Sequence, residues 1–479
     1  MNPQATVTQL EQFRQRVYHR FNQRADASMN LIDALSSNTT ARSVVELSLS
    51  PCFQRSYHSV QRAIDAFFIA SSQEAASAQR RQKAQALMGI IARELPQPAR
   101  RPFWLFGHDA TSVPRPFAAT LPDRGFVYQP DPIGGNKPVT IGHQCSWLAW
   151  LPEKPEVTAS PWVVPLSVRR ITSQESETQV GAEQLTTLLD DPALPCHGAL
   201  CVAVSDSRYS TPHYLSQVAR HDNLVTIARL RSNRILHRQP PPAAPESPLG
   251  HPRWYGKPFS LKAAATWGEP DALIQTHHTS RRGHPYTVHL EAWHNLLMRG
   301  KRGQPMHQHP FTLVRVRLLD AQGRPAFRRP LWLVVVGPRR HELSLLEVHE
   351  AYRQRYDLEH FFRFGKQKLL LTSYQTPDVE HEESWWQLVQ LAYVQLWLAR
   401  FLAQAMPRPW ERYLPQGRVG VASPTTTQRD FGRIIRQIGT PAVAPKARGK
   451  SPGRTQGTRL VPRPRHQVVK KTRKLTRAA

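Results

Sequence analysis

The sequence predicts an α/β fold, with a helical N-terminal domain, an α/β core interrupted by a β-rich insertion, and a basic tail. Three observations predict it: helical spacing of apolar residues near the N-terminus, short apolar runs that lead to carboxylates, and a final stretch rich in Lys and Arg without an acid. The predicted segments are 1–98 (helical domain), 99–237 (first part of the core), 238–337 (insertion), 338–410 (last part of the core) and 411–479 (tail).

The N-terminal segment is rich in Gln, Arg, Ala and Leu, and Ser37 and Thr39 stand where helix caps are expected. Its basic residues either contact the phosphates of a nucleic acid or form an ordinary solvated helix face. They include Arg14, Arg16, Arg20, Arg55 and Arg62.

The core is predicted from apolar runs with an acid at the end. Trp104, Leu105 and Phe106 lead through a glycine to Asp109, which indicates a strand carrying an acid at its tip. A second run of this kind, 200–204, ends on Asp206. Further candidate strands are 146–151 and 224–230. A helix is predicted at 212–221, between the strand at 200–204 and the strand at 224–230.

Prolines between Arg238 and Gly250 interrupt this pattern and predict the entry into the insertion. Alternating segments typical of strands follow at 286–294, 311–319 and 331–336. Helical patterns return at 345–371 and 385–405. The last stretch, 446–479, has 12 Lys or Arg and no acid, and we expect the whole tail, 411–479, to be disordered and to lie along phosphates.

The composition favours a polyanionic partner, since 64 Lys and Arg against 35 Asp and Glu give a net charge of +29. The four Cys contain no C-x-x-C pair, which argues against a disulfide framework and a zinc finger. No signal-peptide pattern or long apolar run is present, so we expect no membrane partner and a cytoplasmic, nucleoid-associated protein.

The most specific pattern consists of Tyr352, Arg355, Glu359 and Lys366, spaced so that one helix would present all four on a face about 60° wide. A carboxylate flanked by cations suits phosphate chemistry, because the acid holds a metal while Arg and Lys neutralise the DNA backbone. The alternative is an ordinary salt-bridged helix with Glu359 paired to Arg363.

Other patterns are weaker. His307, Gln308 and His309 superficially resemble the His pair of nucleases with a Tyr nucleophile, but a polar middle residue and nearby prolines favour a surface loop. Residues 134–137 lack the spacing of a phosphate-binding loop. Three tryptophans of the insertion either stack on an extruded base or, more ordinarily, pack in a core. They are Trp254, Trp267 and Trp293.

The order Asp109, Asp206, Glu359, with Tyr352, Arg355 and Lys366 around the last acid, resembles the DDE transposases of bacterial insertion sequences, in the branch with the Y-R-E-K signature. The resemblance covers roughly residues 103–371. It implies an RNase H-like catalytic core with a β-rich insertion. It also implies that Asp109, Asp206 and Glu359 hold two Mg²⁺ ions, for which Mn²⁺ substitutes, and that Tyr352, Arg355 and Lys366 bind DNA.

The resemblance further implies cleavage of double-stranded DNA at terminal inverted repeats and transfer of the 3′ hydroxyl ends into target DNA, in a homodimeric synaptic complex. Two alternatives stay open. One is a catalytically inactive DNA-binding protein derived from a transposase, and the other is a two-metal nuclease without strand transfer.

Overall fold

The computed structural model describes a helical N-terminal part, a large mixed sheet and helices on both faces of that sheet. No helix within the described ranges is long and apolar enough to cross a membrane. The described residues are 3–68, 73–129, 138–154, 159–241, 253–280, 283–301, 303–405, 421–447, 453, 455–459 and 461–470.

The N-terminal part is helical, as the spacing of its apolar residues predicts. Its α-helices are α1 (Pro3–Tyr18), α2 (Ala25–Ser36), α3 (His58–Asp65) and α4 (Gln73–Ala92). Helices α1, α2 and α3 pack against α9 (Val379–Ala399), a long helix that is almost wholly buried. The N-terminal part therefore closes onto a helix from far along the chain.

Arg14 of α1 holds this packing together and is not available to DNA. Its side chain is 2% exposed and forms an ion pair with Asp33 of α2, and its Nη1 donates to Oε1 of Gln395 on α9 at 2.9 Å. Neither alternative left open for Arg14, a phosphate contact or a solvated helix face, therefore holds, because this guanidinium is buried and a buried carboxylate neutralises it.

The sheet is mixed, and β1 lies in it between β3 and β5. Strand β1 is antiparallel to β3 and parallel to β5, and β5 is parallel to β6. The order is β2-β3-β1-β5-β6-β12-β11-β10-β9, with β4 also paired to β3. The strands are β1 (Trp104–Pro114), β2 (Gly125–Tyr128), β3 (Val139–Trp150), β4 (Val164–Ile171), β5 (Cys201–Ser205), β6 (Leu224–Leu230), β7 (Ile235–His237), β8 (Pro258–Ser260), β9 (Ala272–Thr279), β10 (Pro285–Leu296), β11 (Phe311–Asp320) and β12 (Leu331–Val336).

The segment predicted as an insertion is rich in strands, and these strands continue the sheet of the core. Strand β12 pairs antiparallel with β6, so β12, β11, β10 and β9 follow β6 without a gap. Strands β7 and β8 form a separate two-stranded sheet. Tryptophan rings pack together in this strand-rich segment. The ring centroids of Trp267 and Trp293 lie 6.0 Å apart, and those of Trp267 and Trp332 lie 5.2 Å apart.

Helices cover both faces of the central strands. They are α5 (Glu177–Leu189), α6 (Pro212–Val218), α7 (Leu345–Gln354) and α8 (Asp357–Lys368). Side chains alternate between the faces of a strand. His108 of β1 accordingly contacts Tyr214 of α6, whereas the neighbouring Gly107 faces Leu358 of α8.

The predicted single helix around Glu359 is two helices, which corrects the prediction. Helix α7 ends at Gln354 and α8 begins at Asp357. Between them the backbone tightens into i to i+3 hydrogen bonds, such as the one from the Tyr356 N–H to the Arg353 carbonyl. No Pro or Gly marks the break, so periodicity alone could not reveal it.

The C-terminal segment is more ordered than expected. Helix α10 (Leu402–Ala405) ends before this segment, whereas α11 (Pro424–Ile438) lies within it and buries Phe431 and Ile434 against α9 and α2. Disorder throughout 411–479 is therefore wrong for 424–438, because an apolar helix face has a core to pack on. Residues 461–470 lie against the β2 end of the sheet, where the Val469 N–H donates to the Arg124 carbonyl at 2.7 Å.

Candidate active site

The site begins with two aspartates on neighbouring strands. The parallel register pairs Gly107 of β1 with Val204 of β5, and the same register continued by two residues brings Asp109 level with Asp206. Neighbouring strands lie about 4.8 Å apart, and residues level in register point to the same face. Asp206 follows the last residue of β5, as predicted. Asp109 lies in the middle of β1 and not at a strand tip, which corrects that expectation.

A glycine on β1 lets α8 approach this face closely. A Cβ atom on Gly107 would lie 3.0 Å from Cδ1 of Leu358 and 3.2 Å from Cδ1 of Leu151. Further along, Phe361 of α8 packs edge-on against Trp147 of β3, the residue paired with Asp109. The first turn of α8 therefore lies over β1, and it carries Glu359.

Arg355 joins the acid on β1 to the acid on α8. Its Nη1 donates to Oδ2 of Asp109 at 2.9 Å, and its Nη2 lies 3.4 Å from Oε1 of Glu359. The guanidinium is 15% exposed, while the Asp109 and Glu359 side chains are 21% and 48% exposed. The structure thus brings together Asp109, Arg355 and Glu359 in direct contact.

Burial has the largest effect on the pKa of Asp109, and the neighbouring charges modify it. Burial raises the pKa of Asp109 to about 6, Arg355 opposes that rise, and Asp206 and Glu359 each add to it. Asp206 and Glu359 therefore both lie within electrostatic range of Asp109. Crowded carboxylates of this kind are stabilised by an added cation.

The donor set fits a hard divalent cation, because Mg²⁺ prefers carboxylate oxygens. The geometry is not that of a formed metal centre, since in the described part of the chain no group of three His, Cys, Asp or Glu residues is arranged to hold a metal ion. Oδ1 of Asp109 accepts the Ala110 N–H at 2.8 Å, and Oδ1 of Asp206 accepts the Arg208 N–H at 2.8 Å. At present Arg355 supplies the positive charge between the acids.

The two remaining predicted residues lie at different distances from the acids. Tyr352 lies on α7 with its ring 6.0 Å from the Arg355 guanidinium, and burial raises its pKa. Lys366 lies two turns beyond Glu359 on α8, where burial lowers its pKa and Cys145 opposes that change. The contacts described around the acids do not include Lys366.

A large basic cleft opens beside the acids. Its volume is about 1660 Å³, and Tyr352, Arg355 and Tyr356 form the wall nearest the acids. Phe327, 66% exposed, lies on its wall in the loop between β11 and β12. The cations that line it are Arg100, Arg101, Lys154, Arg229, Arg315, Arg317, Arg328, Arg329, Arg353 and Arg355, and the acids are Glu153, Glu347, Glu350 and Asp357. The excess of cations suits a polyanionic strand.

Comparison with known protein families decides the family. A model described as "DDE superfamily endonuclease" matches residues 16–295, which is more than half of the chain. The chain belongs to this family. No curated protein matches the sequence. The match includes Asp109 and Asp206 and ends before Glu359.

Membership in the DDE superfamily endonucleases implies a metal-dependent nuclease that acts on DNA. The mixed sheet, with helices on both faces, is consistent with the fold of a DDE nuclease. The predicted nuclease class is therefore confirmed at this level. The reading of residues 307–309 as part of a nuclease with a Tyr nucleophile has no support from this family, and the ring of His307 stacks on Trp254 at 4.2 Å.

Most residues of the cleft of this DDE endonuclease were not predicted from the sequence. Three of its cations lie on strands that were predicted from their apolar residues alone: Arg229, Arg315 and Arg317. Two more, Arg328 and Arg329, lie in a loop. The run of arginines around Phe327 could have indicated the loop. The sequence carried no signal that the strand residues would face the same cleft.

The tryptophans suggested for base stacking belong mostly to the interior. Trp293 is 2% exposed, and Trp267 packs against both Trp293 and Trp332. Both therefore pack in the core of the β-rich segment, the ordinary alternative. Trp254 is 42% exposed.

Proposed function

We propose that this DDE superfamily endonuclease is a DNA transposase. It cleaves double-stranded DNA at terminal inverted repeats and transfers the 3′ hydroxyl ends into target DNA. The single observation that carries the proposal is the group of three carboxylates: Asp109 lies on β1, Asp206 directly follows the parallel strand β5, and Glu359 faces Asp109 across Arg355.

We assign the catalytic core to the RNase H-like class. The support is the strand order β4-β3-β1-β5-β6, with β3 antiparallel to β1 and with β5 and β6 parallel to it. The segment 238–337 is then an insertion between β6 and α7, and 1–98 and 411–479 are appended parts. The Y-R-E-K branch is supported by Tyr352, Arg355, Glu359 and Lys366 in their spacing.

Asp109, Asp206 and Glu359 would hold two Mg²⁺ ions, or Mn²⁺ in their place. Bound ions supply Lewis-acid stabilisation of the leaving oxygen and a nucleophile activated at neutral pH. The protein's own groups orient the DNA: the guanidinium of Arg355 and the ammonium of Lys366 neutralise backbone phosphates, and the Tyr352 hydroxyl donates a hydrogen bond to one. The cleft cations guide the strand towards the acids, and the synaptic complex is a homodimer.

The test is cleavage of an inverted-repeat end in Mg²⁺ by the full chain. Asp109→Asn, Asp206→Asn and Glu359→Gln should each abolish cleavage while DNA binding survives, because Lys and Arg make the phosphate contacts. Glu380→Gln is the control, since Glu380 is half exposed on α9 and pairs with Arg80. Normal nicking by Asp206→Asn, with its fold intact, would contradict the assignment.

Two outcomes separate the alternatives. A nuclease without strand transfer cuts the end but does not join a pre-cleaved 3′ hydroxyl end to target DNA. An inactive DNA-binding derivative binds the repeat and cuts nothing, in Mg²⁺ or in Mn²⁺. A transposase does both reactions, and loses both together in Asp109→Asn.

A further inference from the structure

The guanidinium of Arg355 already occupies oxygens that a divalent cation would need. Nη1 donates to Oδ2 of Asp109 at 2.9 Å, and Nη2 lies 3.4 Å from Oε1 of Glu359. The second oxygen of Asp109 accepts the backbone N–H of Ala110. Both oxygens of Asp109 therefore have N–H partners, and the positive charge of the guanidinium lies between Asp109 and Glu359, where a metal ion would have to bind.

We propose that Arg355 closes the acid site to divalent cations in the free protein, and that DNA opens the site by drawing the guanidinium onto a phosphate. The inference rests on the proposed function and adds a regulatory role for Arg355 to it. A Mg²⁺ ion binds carboxylate oxygens directly, at about 2.0 to 2.1 Å. It competes with the guanidinium of Arg355 for the carboxylate oxygens of Asp109 and Glu359, because both cations bind the same oxygen lone pairs.

The position of Arg355 suits such an exchange. It lies in the short link between α7 and α8, outside the regular hydrogen bonding of either helix. Its side chain is 15% exposed and lines the basic cleft, so a strand in the cleft reaches it without unfolding the core. The acids are therefore closed by a group that faces the place where DNA arrives.

The contacts of Arg355 are also of a kind that phosphate can replace. The guanidinium gives one nitrogen to each acid and does not form a two-pronged pair with either. A phosphate group accepts two parallel N–H bonds from one guanidinium, which is the stronger arrangement. Loss of the arginine leaves Asp109 and Glu359 without their cation and ready for another.

Through this exchange at Arg355, bound DNA raises the affinity for the metal and bound metal raises the affinity for DNA. Coupling of this kind is reciprocal, and its usual size is about 5-fold to 150-fold in affinity. Removal of the guanidinium should therefore raise the metal affinity of the free protein, although Arg355 itself is not a metal ligand. A residue with only a DNA-binding role would have no such effect.

The experiment measures Mn²⁺ binding to the full chain without DNA, by electron paramagnetic resonance of the free ion. Arg355→Gln should bind Mn²⁺ about tenfold more tightly than the unchanged protein, within the usual range of coupling. Arg355→Lys should fall between them, since one ammonium cannot contact both acids. Arg353→Gln is the matched control: it removes a cation from the same cleft wall, and the contacts described for the acids do not include Arg353. It should leave Mn²⁺ affinity unchanged.

Two further arms make the result decisive. Asp109→Asn identifies the signal, because the Mn²⁺ bound at the acids must disappear in it. Adding an inverted-repeat duplex should tighten Mn²⁺ binding more in the unchanged protein than in Arg355→Gln. Equal or weaker Mn²⁺ affinity of Arg355→Gln and Arg355→Lys without DNA overturns the closing role. Mn²⁺ binding that persists in Asp109→Asn overturns the metal assignment of the proposed function instead.

Discussion

Two groups of carboxylate and guanidinium lie along β1, and they differ in how completely the protein encloses them. Beyond the end of β1, Arg115 lies 3.0 Å from Oε1 of Glu382, and Nδ1 of His143 lies 2.5 Å from Oε2 of the same carboxylate. Their side chains are 0 to 1% exposed. In the middle of the strand, Asp109 and Arg355 are 21% and 15% exposed and open towards a cleft.

The comparison separates a structural role from a chemical one. Arg115 also donates to the carbonyls of Thr372 and Tyr374, and His143 contacts the Pro122 carbonyl, so the enclosed group is tied to several elements at once. Because the side chains of this enclosed group are 0 to 1% exposed, neither water nor a ligand can replace a partner that is lost. The pair at Asp109 has an alternative partner on each side, phosphate for the guanidinium and a metal for the carboxylate. The ion pair of Arg115 and Glu382 therefore keeps its partners, whereas the partners of Asp109 and Arg355 can be replaced by a metal and by phosphate.

The largest expected effect comes from breaking the enclosed group with Glu382→Gln. The change leaves Arg115 buried without a counter-charge, and breaking a buried ion pair costs about 3 to 5 kcal/mol. We expect the free energy of unfolding to fall by that amount in urea denaturation followed by circular dichroism. Glu380→Gln, on the same helix and half exposed, should lie near the unchanged protein. Equal midpoints for the two variants would contradict the structural role of Glu382.

The corresponding change at the open group, Asp109→Asn, should act in the opposite direction on stability. The pKa of Asp109 is raised from 3.8 to about 6 by burial. The folded state therefore disfavours the charged form, and the penalty is fully present above pH 6. Its size is at most about 3 kcal/mol. The penalty is lost as the pH falls from 6 towards 4. The thermal midpoint of Asp109→Asn should exceed that of the unchanged protein at pH 8, and the difference should shrink at pH 5.

Loss of cleavage in Asp109→Asn should thus accompany a gain in stability at pH 8. A lower midpoint at pH 8 would indicate that Asp109 serves the fold, like Glu382, and not the reaction. The comparison of the two amide variants under the same conditions is the sharpest way to test the difference between the two groups.

A smaller effect is expected in the cleft, where cations contact solvent. Arg328→Gln should lower affinity for duplexes of any sequence and reduce the slope of log affinity against log salt by about 0.9, the value for one phosphate contact. Arg324→Gln is the matched control, because Arg324 belongs to the same exposed loop, pairs with Asp320 and does not line the cleft. Filter binding over a range of NaCl concentrations measures both slopes. Equal slopes for the two variants would place the DNA elsewhere.

The sequence allowed prediction of Asp109 and Asp206 as acids next to strands, because apolar runs that end near a carboxylate are local patterns. The nuclease class was implied by the resemblance to DDE transposases. The family match supports this class. The roles of Asp109, Asp206 and Glu359 stay predictions. The sequence did not reveal the break between α7 and α8 or the closing contact of Arg355. Both depend on how α8 packs over Gly107, a contact between residues some 250 positions apart along the chain.

Burial could not be read from the sequence either. Arg14 and Arg355 are both arginines in helical patterns, yet one is enclosed by Asp33 and Gln395 and the other lines a cleft. Periodicity predicts which face of a helix is apolar, but not which charged residue a distant helix will cover. The ordered part of the C-terminal segment was missed for the same reason, since α11 gains its partners from α2 and α9.

The smallest effect should come from a third pair, Arg463 and Asp378, which lies at the surface. Its atoms approach to 2.7 Å, as close as in the enclosed group, but Arg463 is 54% exposed. Water and salt screen an exposed pair, and ordering two side chains offsets most of the attraction. The backbone contact of His466 with Ala119 holds the same segment independently. Arg463→Gln should therefore leave the thermal midpoint indistinguishable from that of the unchanged protein at physiological salt, with the same result at high salt. A loss as large as that of Glu382→Gln would mean that exposure does not decide the contribution of these pairs, and that the C-terminal segment is itself part of the folded core.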